Sequence, residues 1–367
     1  MDSGVTLTIE PGVTVNLGKF YLQVNGTLRA QGTSGNNIIF NSDTSTSNWR
    51  IIFNDESNDW NEQTGSGSII ENAVLTSIVI GINYASPKIS NNSINGGISC
   101  TRTSSTISYN TITGIYPSGA IFTVYSSAVI LSNTINGRYG INCLSDSSII
   151  SNNTISGPET GIISSGSVVS KNTVYGCGVG IDTGSSTIEQ NLVINNGQGI
   201  VNRGYNIIQN NTIANSTVGI YSYKPSTIVY NNIHDNSAYN IRLDQYATSD
   251  VNATYNWWGT TDAQAISQKI FDNKNDFNLG KVTFEPFLTE PNPEATPTAT
   301  PTSTPEIPEF PSWMILAVLV ITALAVAVAF KRKALSKPLA KTILTFSLNA
   351  ATNFYPFNHW FYPSFSL

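Results

Sequence analysis

The sequence predicts an all-β chain, a β-solenoid wound in coils of about 20 residues, with one transmembrane α-helix near its C-terminus. Three observations predict it. The first is a phrase that recurs from Ser68 to Trp258: an apolar residue, two more, Asn, one more, then a second apolar residue. Its copies are Ile69…Asn72…Val74, Ile89…Asn92…Ile94, Ile107…Asn110…Ile112, Ile130…Asn133…Ile135 and Ile150…Asn153…Ile155. They continue as Val169…Asn172…Val174, Ile188…Asn191…Val193, Ile208…Asn211…Ile213 and Ile228…Asn231…Ile233. The asparagines lie 20, 18, 23, 20, 19, 19, 20 and 20 residues apart, and Asn256 closes the series 25 residues later. The second observation is a set of Gly-Ile pairs at 140–141, 161–162, 180–181, 199–200 and 219–220. The third is the apolar run Trp313 to Phe330, followed at once by Lys331-Arg332-Lys333.

Each element follows in order. Residues 1–67 read as leading coils: Val5, Leu7 and Ile9 alternate, Pro11-Gly12 turns the chain, and Val13, Val15 and Leu17 alternate again. Leu22, Val24, Leu28 and Ile38-Ile39-Phe40 continue the pattern, and 41–67 reads as a polar insertion carrying Trp49 and Trp60. Those two indoles are expected to cover the core, with stacking on a sugar as the other reading. Residues 68–289 hold the main solenoid and its C-terminal cap. β-branched Ile and Val suit pleated strands and are poor choices for nine successive helices. A period near 20 without a helical unit points to a solenoid.

Asn suits the corner because it tolerates left-handed backbone and its amide bonds nearby backbone. Stacked at a strand spacing of about 4.8 Å, the amides can also bond each other up the column. Each Gly-Ile pair reads as a turn with backbone freedom at Gly and a new inward Ile. Trp257 and Trp258 are expected to plug the end of the barrel, ahead of a short helix from Ala263 to Phe271 and a last strand from Val282 to Phe287. Residues 290–312 alternate Pro and Thr and read as an extended spacer. Residues 313–330 are long enough to span a bilayer. The basic cluster opening 331–367 places that side in the cytoplasm and the solenoid outside.

On the phrases quoted, the chain from Val5 to about Phe287 resembles the right-handed parallel β-helix family with the pectin-lyase-like fold. The opening LTIEPGVTV…LQVNGTLRAQGT is similar to the first coils of secreted or surface members. The resemblance implies a single-stranded right-handed parallel β-helix. It does not choose an activity, because that scaffold carries lyases, hydrolases, epimerases and inert binding proteins. It also leads us to expect an upstream piece before Met1, with an export signal and a cap, since a bare solenoid end exposes strand edges. Pro308-Glu309-Phe310, the apolar span and the basic cluster together resemble archaeal surface-protein sorting signals. That likeness implies a sortase-like enzyme acting near Pro308–Phe310. Such proteins usually stop at the basic cluster, whereas here an aromatic-rich tail continues to Leu367.

Composition excludes several function classes. Only 11% of the residues are charged and the net charge is −5, which argues against a nucleic-acid partner. The three cysteines, Cys100, Cys143 and Cys177, lie 8, 10 and 5 residues after their coil's Asn, so the offsets place them in different columns. Cys100 and Cys143 are two coils apart, too far for a disulfide. They read as three buried or half-buried single thiols. With two histidines and no CxxC, neither a metal nor another cofactor is expected.

Chemistry on this scaffold needs carboxylates with Arg or Lys on one outer face. Counting one residue past each Gly-Ile turn gives Asn142, Ile163, Asp182, Val201, Tyr221 and Arg242. Counting three gives Leu144, Ser165, Gly184, Arg203, Tyr223 and Asp244. Asp182, Arg203, Tyr221, Tyr223, Arg242 and Asp244 thus form a candidate ligand-binding face, and read as the only charged and aromatic cluster of the solenoid. Asp182, Arg203 and Tyr223 are its catalytic candidates. The bland reading is a solvated face with ion pairs such as Lys224 to Asp244. Acids are not paired on adjacent coils, and His234, the one histidine nearby, reads as a turn residue. Six Asn-X-Ser/Thr sequons, at Asn25, Asn91, Asn152, Asn210, Asn215 and Asn252, offer glycosylation acceptors if the chain is exported. The reading is a membrane-anchored cell-surface β-helix protein that binds polysaccharide or an S-layer or envelope glycan, or is structural there, without catalysis. The alternative is a polysaccharide lyase, glycoside hydrolase or epimerase acting outside the cell. An accessory β-helix for metal assembly is disfavoured by the scarcity of His and Met.

Overall fold

A computed structural model describes residues 1–43, 49–114, 118–157 and 159–295. The expected transmembrane helix, the processing motif, the tail and most of the Pro/Thr spacer lie outside the described residues. Among the described residues no helix is long and apolar enough to cross a membrane.

Each coil lays down up to three short strands, one per face, and every strand-to-strand pairing between coils is parallel. One face is a continuous 13-stranded sheet running from Thr6–Ile9 to Val282–Thr283. Its inward file is Ile70, Ile89, Ile107, Ile130, Ile150, Val169, Ile188, Ile208 and Ile228. The second face stacks Leu75, Ile94, Ile112, Ile135, Ile155, Val174, Val193, Ile213 and Ile233. The third stacks Ile80, Ile98, Ile121, Ile141, Ile162, Ile181, Ile200, Ile220, Ile241 and Ile270. All are buried. Each such side chain contributes about 1.5–3 kcal/mol, so the three files are the main source of stability.

The asparagines stand in file. From Asn92 through Asn110, Asn133, Asn153, Asn172, Asn191, Asn211 and Asn231 to Asn256, each Nδ2 donates to the next Oδ1 at 2.9–3.0 Å. The same Oδ1 accepts the backbone N–H of the preceding rung, as Asn191 does from Asn172 at 2.9 Å. Each Nδ2 also reaches back to a carbonyl one coil earlier, as Asn191 does to Val169 at 2.9 Å. One side chain therefore ties three coils together.

Several details differ from the sequence reading. The left-handed corner falls on the residue before each ladder Asn: Asn91, Tyr109, Ser132, Asn152, Lys171, Gln190, Asn210, Tyr230 and Tyr255, with φ of 54–59°. The buried ladder Asn bonds in both directions, and the left-handed angle falls on its exposed or half-buried neighbour. The first copy is slipped by one. Ile70 and Leu75 occupy the inward files, and Ala73 takes the ladder position, where its N–H meets Asn92 Oδ1 at 2.9 Å. The run Ser68-Ile69-Ile70-Glu71-Asn72-Ala73-Val74-Leu75 offers apolar residues in two adjacent registers, and only pairing selects one.

The Gly of each Gly-Ile pair is required by close approach rather than by turn conformation. A Cβ on Gly161 would lie 2.7 Å from Gly180 O, and one on Gly180 would lie 2.5 Å from Gly199 O. In the 41–67 segment, Trp49–Phe53 is a strand paired to the third face, with the Trp49 ring packed over Gly81. Trp60 sits half-buried between Arg29 and Lys88, so neither indole covers the core. Trp258 does: it is buried and meets Phe284 edge-on, while Trp257 is half-buried. The helix is shorter than expected, Ala263–Gln268, because Ile270–Phe271 pairs as a strand with the last coil, and the final strand is Val282–Thr283.

The interior is not purely aliphatic. Cys100, Thr123, Cys143, Ser164, Thr183, Asn202 and Ser222 share one inward file, so two of the thiols do fall in a column. The turn between the second and third faces varies in length, and it absorbs the difference in offset from the ladder Asn. Beside this file Asp146 is buried and accepts from the Thr123 hydroxyl, from Ser126 N at 2.8 Å and from Ser148 Oγ at 3.3 Å. Asn206 continues the set, bonding Asn202 and accepting from Ser186 N at 2.7 Å. All three cysteines are free and buried. Burial pushes the Cys143 thiol up to about 12 and raises Cys100 and Cys177 as well.

Candidate functional site on the outer face of the late coils

Strand alternation on the third face sends 181 and 183 inward and 182 outward. Pairing then aligns Asn142, Ile163, Asp182, Val201, Tyr221 and Arg242 in one outward file, as the sequence count expected. Arg203, Tyr223 and Asp244 follow at the adjoining corner, each backbone N–H bonded to a carbonyl one coil earlier.

Five of the six candidate residues meet at the surface. Arg203 Nε donates to both oxygens of Asp182, at 2.7 and 3.0 Å, and its guanidinium lies 4.9 Å over the Tyr223 ring. Tyr223 and Tyr221 are 5.3 Å apart at a tilt of 57°. The Arg242 guanidinium sits over the Tyr221, Phe271 and Tyr239 rings at 5.8, 5.2 and 5.9 Å. Val201, although it points outward, is buried beneath this cover and forms an apolar floor.

Asp244 is the exception. It is buried, accepts from the Tyr221 hydroxyl at 3.0 Å and from Tyr246 N at 3.0 Å, and makes no ion pair with Lys224. Partial burial, then the bond to Asp244, raises the Tyr221 phenol above its ordinary range. His234 ends the strand Asn232–His234 rather than lying in a turn, and its Nδ1 bonds Asp235 at 2.7 Å. Among the described residues no three His, Cys, Asp or Glu come together to hold a metal ion.

This face is not the only charged and aromatic cluster. Arg102 lies between Tyr84 and Tyr125, 5.4 Å from each ring, and donates to Tyr84 Oη at 2.5 Å. These three precede Asn92, Asn110 and Asn133 by a constant eight residues, a signal that counting from the Gly-Ile turns passes over. Trp60 carries a second cluster. It donates to Glu62, which also pairs with Lys88 at 2.9 Å, and both contacts hold the Glu62 carboxyl low. A third joins Arg138, Tyr139 and Glu159.

The family model described as the right-handed β-helix region matches residues 96–203. Among solved structures the chain is similar to the A-module of a mannuronan C-5 epimerase from Azotobacter vinelandii. The identity is 12% over 78% of this chain and 91% of that one, with a TM-score of 0.37. It is similar to a mutant of a PL6 family alginate lyase at 11% identity over 83% of this chain and 57% of that one, with a TM-score of 0.35. A periplasmic alginate epimerase gives 11% identity, coverage of 78% and 75%, and a TM-score of 0.22. No curated protein matches. The chain is a right-handed parallel β-solenoid, and likenesses this distant carry no argument about what it binds.

Proposed function

We propose that the chain is a cell-surface protein whose solenoid binds glycan, or takes a structural place in the envelope, without catalysis. One observation carries this reading: both acids of the candidate face are engaged within it. Asp182 is held through both oxygens by Arg203, and Asp244 is buried beneath Tyr221. A general base must reach the proton it removes, and a carboxylate bound in this way is poorly placed to do so. Tyr221 and Tyr223, half-buried over Val201, instead offer ring faces and hydroxyls of the kind that hold sugars.

The anchor proposed is the apolar segment 313–330 with its basic flank, and Pro308–Phe310 is the proposed processing site; both rest on the sequence. Release of the full chain from membranes by alkaline carbonate would overturn the anchor.

The enzyme reading has one contact in its favour. Asp182, Arg203 and Tyr223 place an acid, a cation and a phenol in a single site. Incubating the full chain with acidic and neutral polysaccharides separates the two. The expected result is binding that falls about tenfold in Arg203→Ala and in Tyr223→Ala, with no product. Product that disappears in Asp182→Ala would make the chain a lyase, hydrolase or epimerase.

A further inference from the structure

We propose that the cleft between the last full coil and the short C-terminal helix binds a neutral sugar ring, at a site separate from the tyrosine face. The helix Ala263–Gln268 is started by Asp262, whose side chain accepts from Gln264 N and Ala265 N. Between this helix and the corner at 235–240 lies a cleft of about 850 Å³, within the size range of small-molecule sites.

Two donors in its wall meet no acceptor among the described residues, and one of them, on Trp258, is buried. Trp258 lines the cleft at 3% exposure, and its indole Nε1–H meets no acceptor among the described residues. Asn240, 4% exposed, takes Asn236 Nδ2 on its Oδ1 at 3.0 Å. That bond fixes the amide so that its own NH₂ is left over, and no described acceptor meets it. A buried donor without a partner costs about 1–3 kcal/mol, which a bound acceptor oxygen recovers. Neither residue is free to turn away: Trp258 is held edge-on by Phe284, and Asn240 by Asn236, whose own Oδ1 accepts from Ser216 N.

The lining also indicates the class of ligand. Its charges are Asp235 and Lys269, which cancel, and Lys269 Nζ is already bonded to Asn236 O at 3.1 Å and Ser237 O at 2.9 Å. An anionic ligand therefore finds no uncommitted cation in this wall. Ala238 and Ala265 give an apolar patch for a C–H face, while Thr260 and Gln268 add groups that both donate and accept. Two donors, balanced charge and an apolar patch match a hydroxyl-bearing neutral ring.

The test uses the full chain and isothermal titration with maltose, cellobiose and lactose, and with digalacturonate as the acidic comparison. At least one neutral disaccharide is expected to bind saturably. Trp258→Phe, which removes the indole donor, is expected to weaken it about tenfold. Trp258 also closes the core, so a second variant is needed. Ala238→Trp fills the cleft from an exposed position and is expected to weaken binding at least as much. Polysaccharide binding at the tyrosine face is expected to fall in Arg203→Ala and to persist in Ala238→Trp, so this site and the proposed glycan face fail separately. The proposal is overturned if no neutral disaccharide binds, if only the acidic one does, or if Ala238→Trp has no effect.

Discussion

At the scale of single residues, Cys143 shows what the interior imposes. Its thiol is fully buried, and ionisation there is pushed from 9.0 to about 12. The unfolded chain ionises at the lower value, so the neutral thiol stabilises the fold fully below pH 9. That contribution is lost as pH rises from 9 towards 12, by about 1.4 kcal/mol per pH unit. Urea unfolding of the native chain and of Cys143→Ser, compared at pH 8 and pH 10.5, is expected to show the serine variant gaining relative stability at the higher pH. An unchanged difference would mean that the thiol is reached by water. Residue-level chemistry was legible only in part. Burial of the cysteines follows from their type, but the Asp146 carboxylate beside them is an inward polar group that no apolar pattern announces. The left-handed positions are equally hidden, since Tyr109, Lys171 and Gln190 are not residues chosen for such backbone.

At the scale of elements, the asparagine ladder holds the corner of the sheets. Asn191 donates to Val169 O, Glu189 O and Asn211 Oδ1 and accepts twice from Asn172. Asn191→Ala leaves these buried partners unmatched, and a loss of about 3 kcal/mol is expected in urea denaturation. A loss below about 1 kcal/mol would show that the ladder is ornamental to the Ile files. The ladder was legible because every rung repeats one residue at one interval. The Asp182 to Asp244 face was legible for a related reason: alternation fixes which side a residue takes once a single inward Ile is known. Alternation does not fix what the side chain then touches. The burial of Asp244 and the Tyr84–Arg102–Tyr125 stack both depend on contacts between coils.

At the scale of the molecule, each coil contacts chiefly its neighbours, so the stack is quasi-one-dimensional. Asn172 and Asn191 are 19 residues apart and directly stacked. Deleting 172–190 therefore joins Lys171 to Asn191 and removes one whole coil. This variant is expected to keep a single cooperative unfolding transition. Deleting 172–189 leaves one residue too many before Asn191, which turns inward groups outward, and cooperative unfolding should be lost. Equal behaviour of the two deletions, followed by circular dichroism on heating, would contradict stacking by register.

The sequence alone determined that this chain winds as a β-solenoid, how long its coils are and which side of the late coils carries charge and aromatic rings. All three follow from local periodicity, which each coil repeats. Only the tertiary structure decided that the first copy is slipped by one residue, that the interior carries a polar file and that Asp244 is buried. It also decided that a cleft with unmet donors lies beneath the capping helix. These depend on which atoms of neighbouring coils come into contact. Turn length sets that contact, and turn length varies from coil to coil while the repeated phrase does not.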